Sequence, residues 1–375
     1  MSMSTLLAIM GLLLSAIPAA TFLRNLPLFL FQPCKANHAG NVKVSVLIPA
    51  RNEEESITEC VESVLKSRNV EIEVVVLDDH SADATADRVA EIAASDSRVR
   101  CVNGKPLPEN WNGKQYACYQ LAAEAGFHWL LFLDADVRLS DTAVSNLVQR
   151  MQRTNVALLS SFPHQETGTI LEKLLIPLMH YVLLGFLPFA RMRMSKSPAY
   201  AAGCGQLFLT KKGDYKSAGT HEAIRSSRHD GLKLPRIYRK ANLATDVIDG
   251  SDLARCRMYR SGGEVIRGLL KNATEGIASP VLIVPFSMLF IGANVVPIVA
   301  LVLAIIAKST LGIVVATAAV FVSLLPRVMA ARSLKQPWIG VVLHSLSIVI
   351  FIAIQWIALA QQLIGRRTAW RGRVS

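Results

Sequence analysis

Apolar positions crowd the two ends of the chain, and the middle alternates between short apolar runs and polar stretches. Residues 5–23 are almost wholly apolar and close on Arg24. No basic residue precedes them, so they predict an uncleaved transmembrane helix and not a secretory leader. Residues 25–41 read as a linker, with Pro27, Pro33 and Gly40 as breakers. Three long apolar runs, 280–307, 311–325 and 339–364, predict about three C-terminal spans. Residues 170–189 are also apolar, but Pro177 and Pro188 interrupt them. They predict one or two helices lying in the membrane interface, with a buried helix pair as the alternative.

The middle has a different rhythm. Apolar runs at 42–50, 71–77, 99–103 and 129–133 predict strands, and 51–67, 84–94 and 114–126 between them predict helices. Strands that are apolar throughout and alternate with helices predict βαβ units and a parallel sheet, the α/β class. A further strand with a glycine turn is expected at 200–209, AAGCGQLFL from Ala201 on. The resulting division is an anchor at 1–24, a catalytic domain at 42–275 with the interfacial segment at about 170–190, and a membrane region at 280–364.

Charge narrows the partners. The 375 residues carry a formal net charge of +12, and the mean hydropathy is +0.35. The excess suits nucleic acid or anionic lipid. Its placement beside apolar spans, at Arg191, Arg193, Lys196, Arg327, Arg332, Lys335 and 366–373, favours lipid and argues against nucleic acid. The loop at 327–335 falls on the inside if the catalytic domain does; the same count puts 366–373 outside, against the positive-inside rule. Six cysteines, with no C-x-x-C pair among them, read as reduced thiols and place the catalytic domain in the cytoplasm, on a multi-pass protein of the cell (inner) membrane.

Ligands of open parallel sheets bind at the carboxyl ends of the strands, and the acidic residues fall there. Asp134-Ala135-Asp136 follows a buried strand. Two carboxylates at i and i+2 on an extended stretch share a face and suit Mg2+ or Mn2+, which would neutralise a departing diphosphate. Ala50-Arg51-Asn52-Glu53-Glu54 and Asp78-Asp79-His80-Ser81 end the first two strands and offer groups for a base and a ribose. First-turn carboxylates would serve equally for Glu54 and Glu55, and an N-cap for Asp79. Lys114, after Trp111-Asn112-Gly113 at a helix start, favours phosphate; a surface loop is the plainer alternative. A sugar hydroxyl is a weak nucleophile, so a carboxylate is needed on the acceptor side. Asp230 is the candidate, with Glu222, Asp246, Asp249 and Asp252 as competitors.

In order along the chain, PARNEEESI, LDDHSAD, ENWNGK, FLDADV, AAGCGQLFL, HEAI and HDGLKL resemble the family 2 glycosyltransferases, in particular the membrane-anchored branch with the hopanoid-associated and carotenoid-acid enzymes. The resemblance covers about residues 42–275 together with the anchor and the C-terminal spans. It implies a GT-A fold, a nucleotide-sugar donor (a UDP-sugar foremost), a divalent metal and an inverting single displacement onto a lipid or isoprenoid acceptor. It implies nucleoside contacts from Ala50, Asn52, Glu53 and Asp79, metal contacts from Asp134 and Asp136, and a base at Asp230. The family's E-D pair reads His229-Asp230 here. Residues 256–260 hold no Q-x-x-R-W motif, which disfavours polymer synthesis. Two alternatives are a sphingolipid- or glycolipid-type transferase and an inactive membrane scaffold. The intact D-x-D argues against inactivity, and the lack of charges inside the expected spans argues against transport.

Overall fold

The computed structural model describes residues 2–32 and 42–364, together with the backbone of 369–370 and 373–374. In chain order its elements are α1 (Met3–Phe29), β1 (Lys43–Ala50), α2 (Ile57–Leu65), β2 (Glu71–Asp78), α3 (Thr85–Ser95), β3 (Val99–Asn103), α4 (Gly113–Glu124), β4 (Trp129–Leu133), β5 (Val137–Leu139), α5 (Ala143–Thr154) and β6 (Leu158–Gln165). There follow α6 (Ile170–Leu175), α7 (Leu178–Phe186), α8 (Phe189–Met194), β7 (Leu207–Lys211), α9 (Lys212–Ser217), α10 (Asp230–Lys240), β8 (Thr245–Cys256), α11 (Gly262–Ala273), α12 (Ile283–Asn294), α13 (Val296–Ile306), α14 (Thr310–Ser333), α15 (Ile339–Val342) and α16 (His344–Leu363). These form two compact units. One contains the sheet; the other contains α1, α6, α7 and the helices from α11 onward.

The sheet has eight strands in the order β3-β2-β1-β4-β7-β6-β8-β5. The first four are parallel, with Val46 opposite Val74 and Leu131. The expected parallel sheet ends there: β7 runs antiparallel between β4 and β6, and β5 antiparallel against β8. Strands β6 and β8 escape a search for apolar runs because serines and Pro163 interrupt one, and aspartates and Gly250 the other. On β1 and β2, neighbouring residues face opposite layers. Val44, Val46 and Ile48 pack with α2 and α5, and Leu47, Val75 and Leu77 with α4 and α10. All six are fully buried, each stabilising the sheet by about 1.5–3 kcal/mol.

Two local elements differ from expectation. The helix expected from residue 51 starts only at Ile57. Asn52 has a left-handed φ of 54°, and Ser56 and Ile57 both donate to the Glu53 carbonyl, so 51–56 form a turn. The strand expected from residue 200 starts only at Leu207, because its glycine segment is bent against α10.

In the helical unit three helices, α1, α14 and α16, are long and apolar enough to cross a membrane, or four if α12 and α13 form one span bent by 45°. The break falls at Val295, and Pro297, in the first turn of α13, has no N–H with which to continue the hydrogen bonds of α12. Helix α1 continues past Arg24 to Phe29, so 25–29 are helix and not linker; Pro33, Cys34 and Gly40 lie outside the described residues, as does most of 366–373. Asn25, at 3% exposure, shows why the extension matters. Its Nδ2 donates to the carbonyls of Leu184 and Leu187 at 2.8 and 2.6 Å, and its Oδ1 accepts from the Phe189 N–H at 3.1 Å. One amide thereby satisfies the backbone groups freed where Pro188 breaks the chain. Helices α6 and α7 pack with α11, α12 and α16.

Two basic residues read as facing lipid instead reach partners within the protein. Arg193 pairs with Asp246 at 2.9 Å. Helix α14 runs to Ser333, beyond the apolar run that ended at 325, and so takes in Arg327, which is 1% exposed. The spans are therefore not free of charge.

Candidate active site

The carboxyl ends of β2, β1 and β4 lie side by side, and the amino end of β7 joins them because that strand is antiparallel. At the ends of β1 and β2 the loops are tied together. The Ala50 carbonyl accepts from the Asp79 N–H at 2.8 Å. Asn52 Oδ1 accepts from the Ala82 N–H at 2.8 Å, and the Asn52 N–H donates to Ser81 Oγ at 3.0 Å. The Glu53 N–H donates to Thr85 Oγ1 at 2.8 Å. Glu54 accepts from the Ala84 N–H at 3.1 Å, so it caps α3 and does not sit in a helix of its own. Asp79 is 6% exposed, with Arg51 Nη1 at 4.0 Å from its carboxylate. Ala50, Asn52, Glu53 and Asp79 thus share one rim.

The D-x-D segment leaves β4 not as extended chain but as a tight turn into β5, closed by Val137 N–H to Asp134 O at 3.1 Å. The three-residue β5 pairs back onto β8, which is why the strand cannot run on. The turn is pinned from β7 by the Asp134 N–H, which donates to Gln206 O at 3.0 Å.

Lys114 occupies the centre. It stands in the first turn of α4, where Asn112 caps the helix by accepting from the Lys114 N–H at 3.1 Å. Its Nζ lies 2.6 Å from Asp134 Oδ1, 2.8 Å from Asp134 Oδ2, 2.9 Å from Asp230 Oδ2 and 3.1 Å from Gly205 O. One ammonium therefore joins the first aspartate of the D-x-D to the first residue of α10. Burial lifts the Asp134 carboxyl; Lys114 opposes this, Asp136 and Asp230 add to it, and the group comes to rest at about 6. Burial also works against the Asp230 carboxylate, but the charge and hydrogen bond of Lys114 outweigh it and hold Asp230 below the usual range.

Gly205 makes this convergence possible. A Cβ there would overlap the Asp230 carboxylate, and one on Gly203 would come within 2.8 Å of the Phe208 ring. Gly231 is the matching position on α10, where a Cβ would meet Gly203 O at 2.8 Å. The glycines, and the buried Gln206 behind them, were missed as site residues by sequence reasoning; the spacing G-x-G before a strand was their signal. Of the competitors of Asp230, Asp249 accepts from the Ser251 N–H at 3.0 Å and from its hydroxyl at 2.6 Å. Asp246 is held by Arg150 and Arg193 at 3.0 and 2.9 Å, and Glu222 and Asp252 are exposed.

The residues suit a hard divalent cation. Asp136 Oδ1 is buried with no hydrogen-bond partner, an oxygen with unspent coordinating capacity. Among the described residues no cluster of three or more His, Cys, Asp or Glu forms a metal cage. Two carboxylates and no cage match an ion that takes its remaining ligands from substrate phosphates.

His221 supports the cluster from below. It is 2% exposed, its Nδ1 is 2.7 Å from Tyr215 Oη, and its ring meets Phe132 edge-on at 4.8 Å. Burial chiefly, with Lys114 adding, pushes it down to about 3. Between pH 6.5 and 3 the unfolded chain therefore binds a proton that the folded chain refuses, and stability falls as pH falls. The slope reaches about 1.4 kcal/mol per pH unit. The melting temperature of the wild type should drop more steeply from pH 6.5 to 4.5 than that of His221→Asn; parallel profiles would exclude His221 as the cause.

A sheet of four parallel strands extended by antiparallel ones, with a D-x-D turn at the end of β4 and a carboxylate across from it, has the architecture of a GT-A type domain. Residues 45–216 match the profile of glycosyl transferase family 2. A 4,4'-diaponeurosporenoate glycosyltransferase of Staphylococcus haemolyticus is 29% identical over 239 residues, 63% of this chain and 62% of the relative. The protein of the same name from Staphylococcus aureus is 30% identical over 238 residues, 62% of this chain and 61% of the relative. The chain thus spans about three fifths of the length of the curated relatives it matches. Among solved structures, a mannosyltransferase from Pyrobaculum calidifontis, in complex with GDP-Man and Mn2+, superposes with a TM-score of 0.56 over 95% of this chain and 99% of that one, at 16% identity. That likeness is one of fold.

Proposed function

We propose that this chain transfers a sugar from a nucleotide-sugar donor to a lipid or isoprenoid-type acceptor at a membrane, by one inverting displacement. The observation that carries the reading is the bridge from Asp134 through Lys114 to Asp230 at the carboxyl end of the sheet. In this reading Ala50, Asn52, Glu53 and Asp79 hold the nucleoside. Asp134 and Asp136 would hold Mg2+ or Mn2+, which when bound offsets charge on the diphosphate. Lys114 turns from the carboxylates toward the incoming phosphates. Asp230, released from part of its ion pair, becomes more basic and takes the proton of the acceptor hydroxyl. The acceptor oxygen bonds to the anomeric carbon, the bond from that carbon to the diphosphate oxygen breaks, and the nucleoside diphosphate leaves.

Support comes from two sides. The fold neighbour was solved with a nucleotide sugar and Mn2+. The staphylococcal relatives are named for 4,4'-diaponeurosporenoate, an isoprenoid-type acceptor. A catalytic domain in the cytoplasm, carried on the inner membrane, completes the proposal. The test is lipid extraction from cells with and without the gene. One glycolipid should vanish on deletion and return with the gene, and the purified chain should bind nucleotide more weakly once Mn2+ is chelated. An unchanged lipid profile, with no nucleotide binding by the purified chain, would overturn the reading.

A further inference from the structure

We propose that the helical unit holds a binding site for the anionic headgroup of a membrane amphiphile, a carboxylate or a phosphate monoester, built on Arg327. The site belongs to that unit alone and is independent of the transfer reaction.

Arg327 is among the largest fully buried side chains of the protein. A guanidinium carries five N–H donors and a permanent charge, and a buried charge is ordinarily matched by an opposite one. Arg327 has no such match: among the described residues no carboxylate lies within ion-pair distance. Its contacts are neutral and long, from Nε to Gly340 O at 3.4 Å and from Nη1 to Gln336 Oε1 at 3.3 Å. Its Nη2 is buried with no partner.

The surroundings are polar in a way that apolar helices do not require. Tyr181 Oη and His344 Nε2 both donate to Asn294 Oδ1, each at 2.9 Å. The Asn294 amide is fixed in this sense because its Nδ2 donates to Phe290 O at 2.9 Å. The proton of neutral His344 therefore sits on Nε2, and Nδ1 presents a lone pair. That atom, too, is buried without a partner. Arg327 is close enough to interact electrostatically with Tyr181 and with the His344 ring, whose own centroids are 4.9 Å apart. The helical unit thus holds one unmet donor on a buried cation and one unmet buried acceptor. A carboxylate answers the donor. A phosphate monoester does so with a fuller charge.

The depth is right for a headgroup. Arg327 precedes the end of α14 at Ser333 by six residues, about 9 Å of helix. Arg332, Lys335 and Trp338, just beyond, are exposed, the residue types that mark the edge of the hydrocarbon. Intramembrane ionisable residues placed this way serve ligands or ions more often than stability.

The experiment follows the melting temperature of the full chain in neutral detergent during titration with oleate, oleyl phosphate or oleyl alcohol. Both anions should protect saturably and the alcohol should not, with oleyl phosphate the tighter. Arg327→Gln should weaken oleyl phosphate at least tenfold. If that variant does not survive solubilisation, Arg327→Lys decides, since it keeps a charge but loses the fork and should bind several-fold more weakly. Equal protection by the alcohol, no saturable protection, or unchanged affinity in the surviving variant overturns the site.

Discussion

Asp230→Asn is expected to fold and to bind nucleotide as the wild type does, yet to transfer sugar a hundred- to ten-thousand-fold more slowly. The fold survives because the change removes little structure. Asp230 Oδ1 accepts from the Gly231 N–H at 2.8 Å, and an amide oxygen does the same. Lys114 keeps both oxygens of Asp134 at 2.6 and 2.8 Å, so no buried ammonium is stranded. The rate falls because an amide cannot take a proton. Lys114 holds the Asp230 carboxylate ionised before substrate arrives, the state a base must start from. The measurement is kcat for a hydroxyl-bearing acceptor beside nucleotide affinity. A kcat within threefold of wild type removes Asp230 as the base.

What could be read beforehand was whatever depends on neighbours in sequence. Strands β1, β2 and β4 are short runs buried on both faces and β3 is a short, partly buried run at the sheet edge, so composition marks them, and the ends of β2 and β4 lead into Asp79 and Asp134. The helices of the sheet follow from the same rhythm. Illegible were features that tertiary contact decides. Strand β8 holds Asp246, Asp249 and Asp252, a pattern no strand rule favours; Asp246 is tolerated because Arg150 and Arg193 close on it from distant segments. The D-x-D looked like extended chain because β4 is extended, and only pairing of β5 with β8 forces the turn. Lys114 was read as a phosphate ligand at a helix start, but its bridging of Asp134 to Asp230 joins residues 20 and 116 positions away. Arg327 looked like a flank because the apolar run ended before it, and the helix did not.

The same reasoning makes Gly205 a position where a single methyl group should disable the enzyme. Its carbonyl takes the Lys114 ammonium at 3.1 Å, while its α-carbon lies against the Asp230 carboxylate so closely that no Cβ fits. Movement of α10 away from the turn would open the contact of Gly231 with Gly203 O and would carry Asp230 off with it. Otherwise the carboxylate must rotate or the 203–206 turn must shift, and either parts Asp230 from Lys114. A displacement of this size at a reacting group costs on the order of a hundredfold, and Gly205→Ala should lower kcat by that much with nucleotide affinity kept. The double variant with Asp230→Asn supplies the control. Two losses through one carboxylate do not add, so the pair should be no slower than Asp230→Asn alone. A double variant slower by the product of the two single effects would mean that Gly205 acts on something other than Asp230.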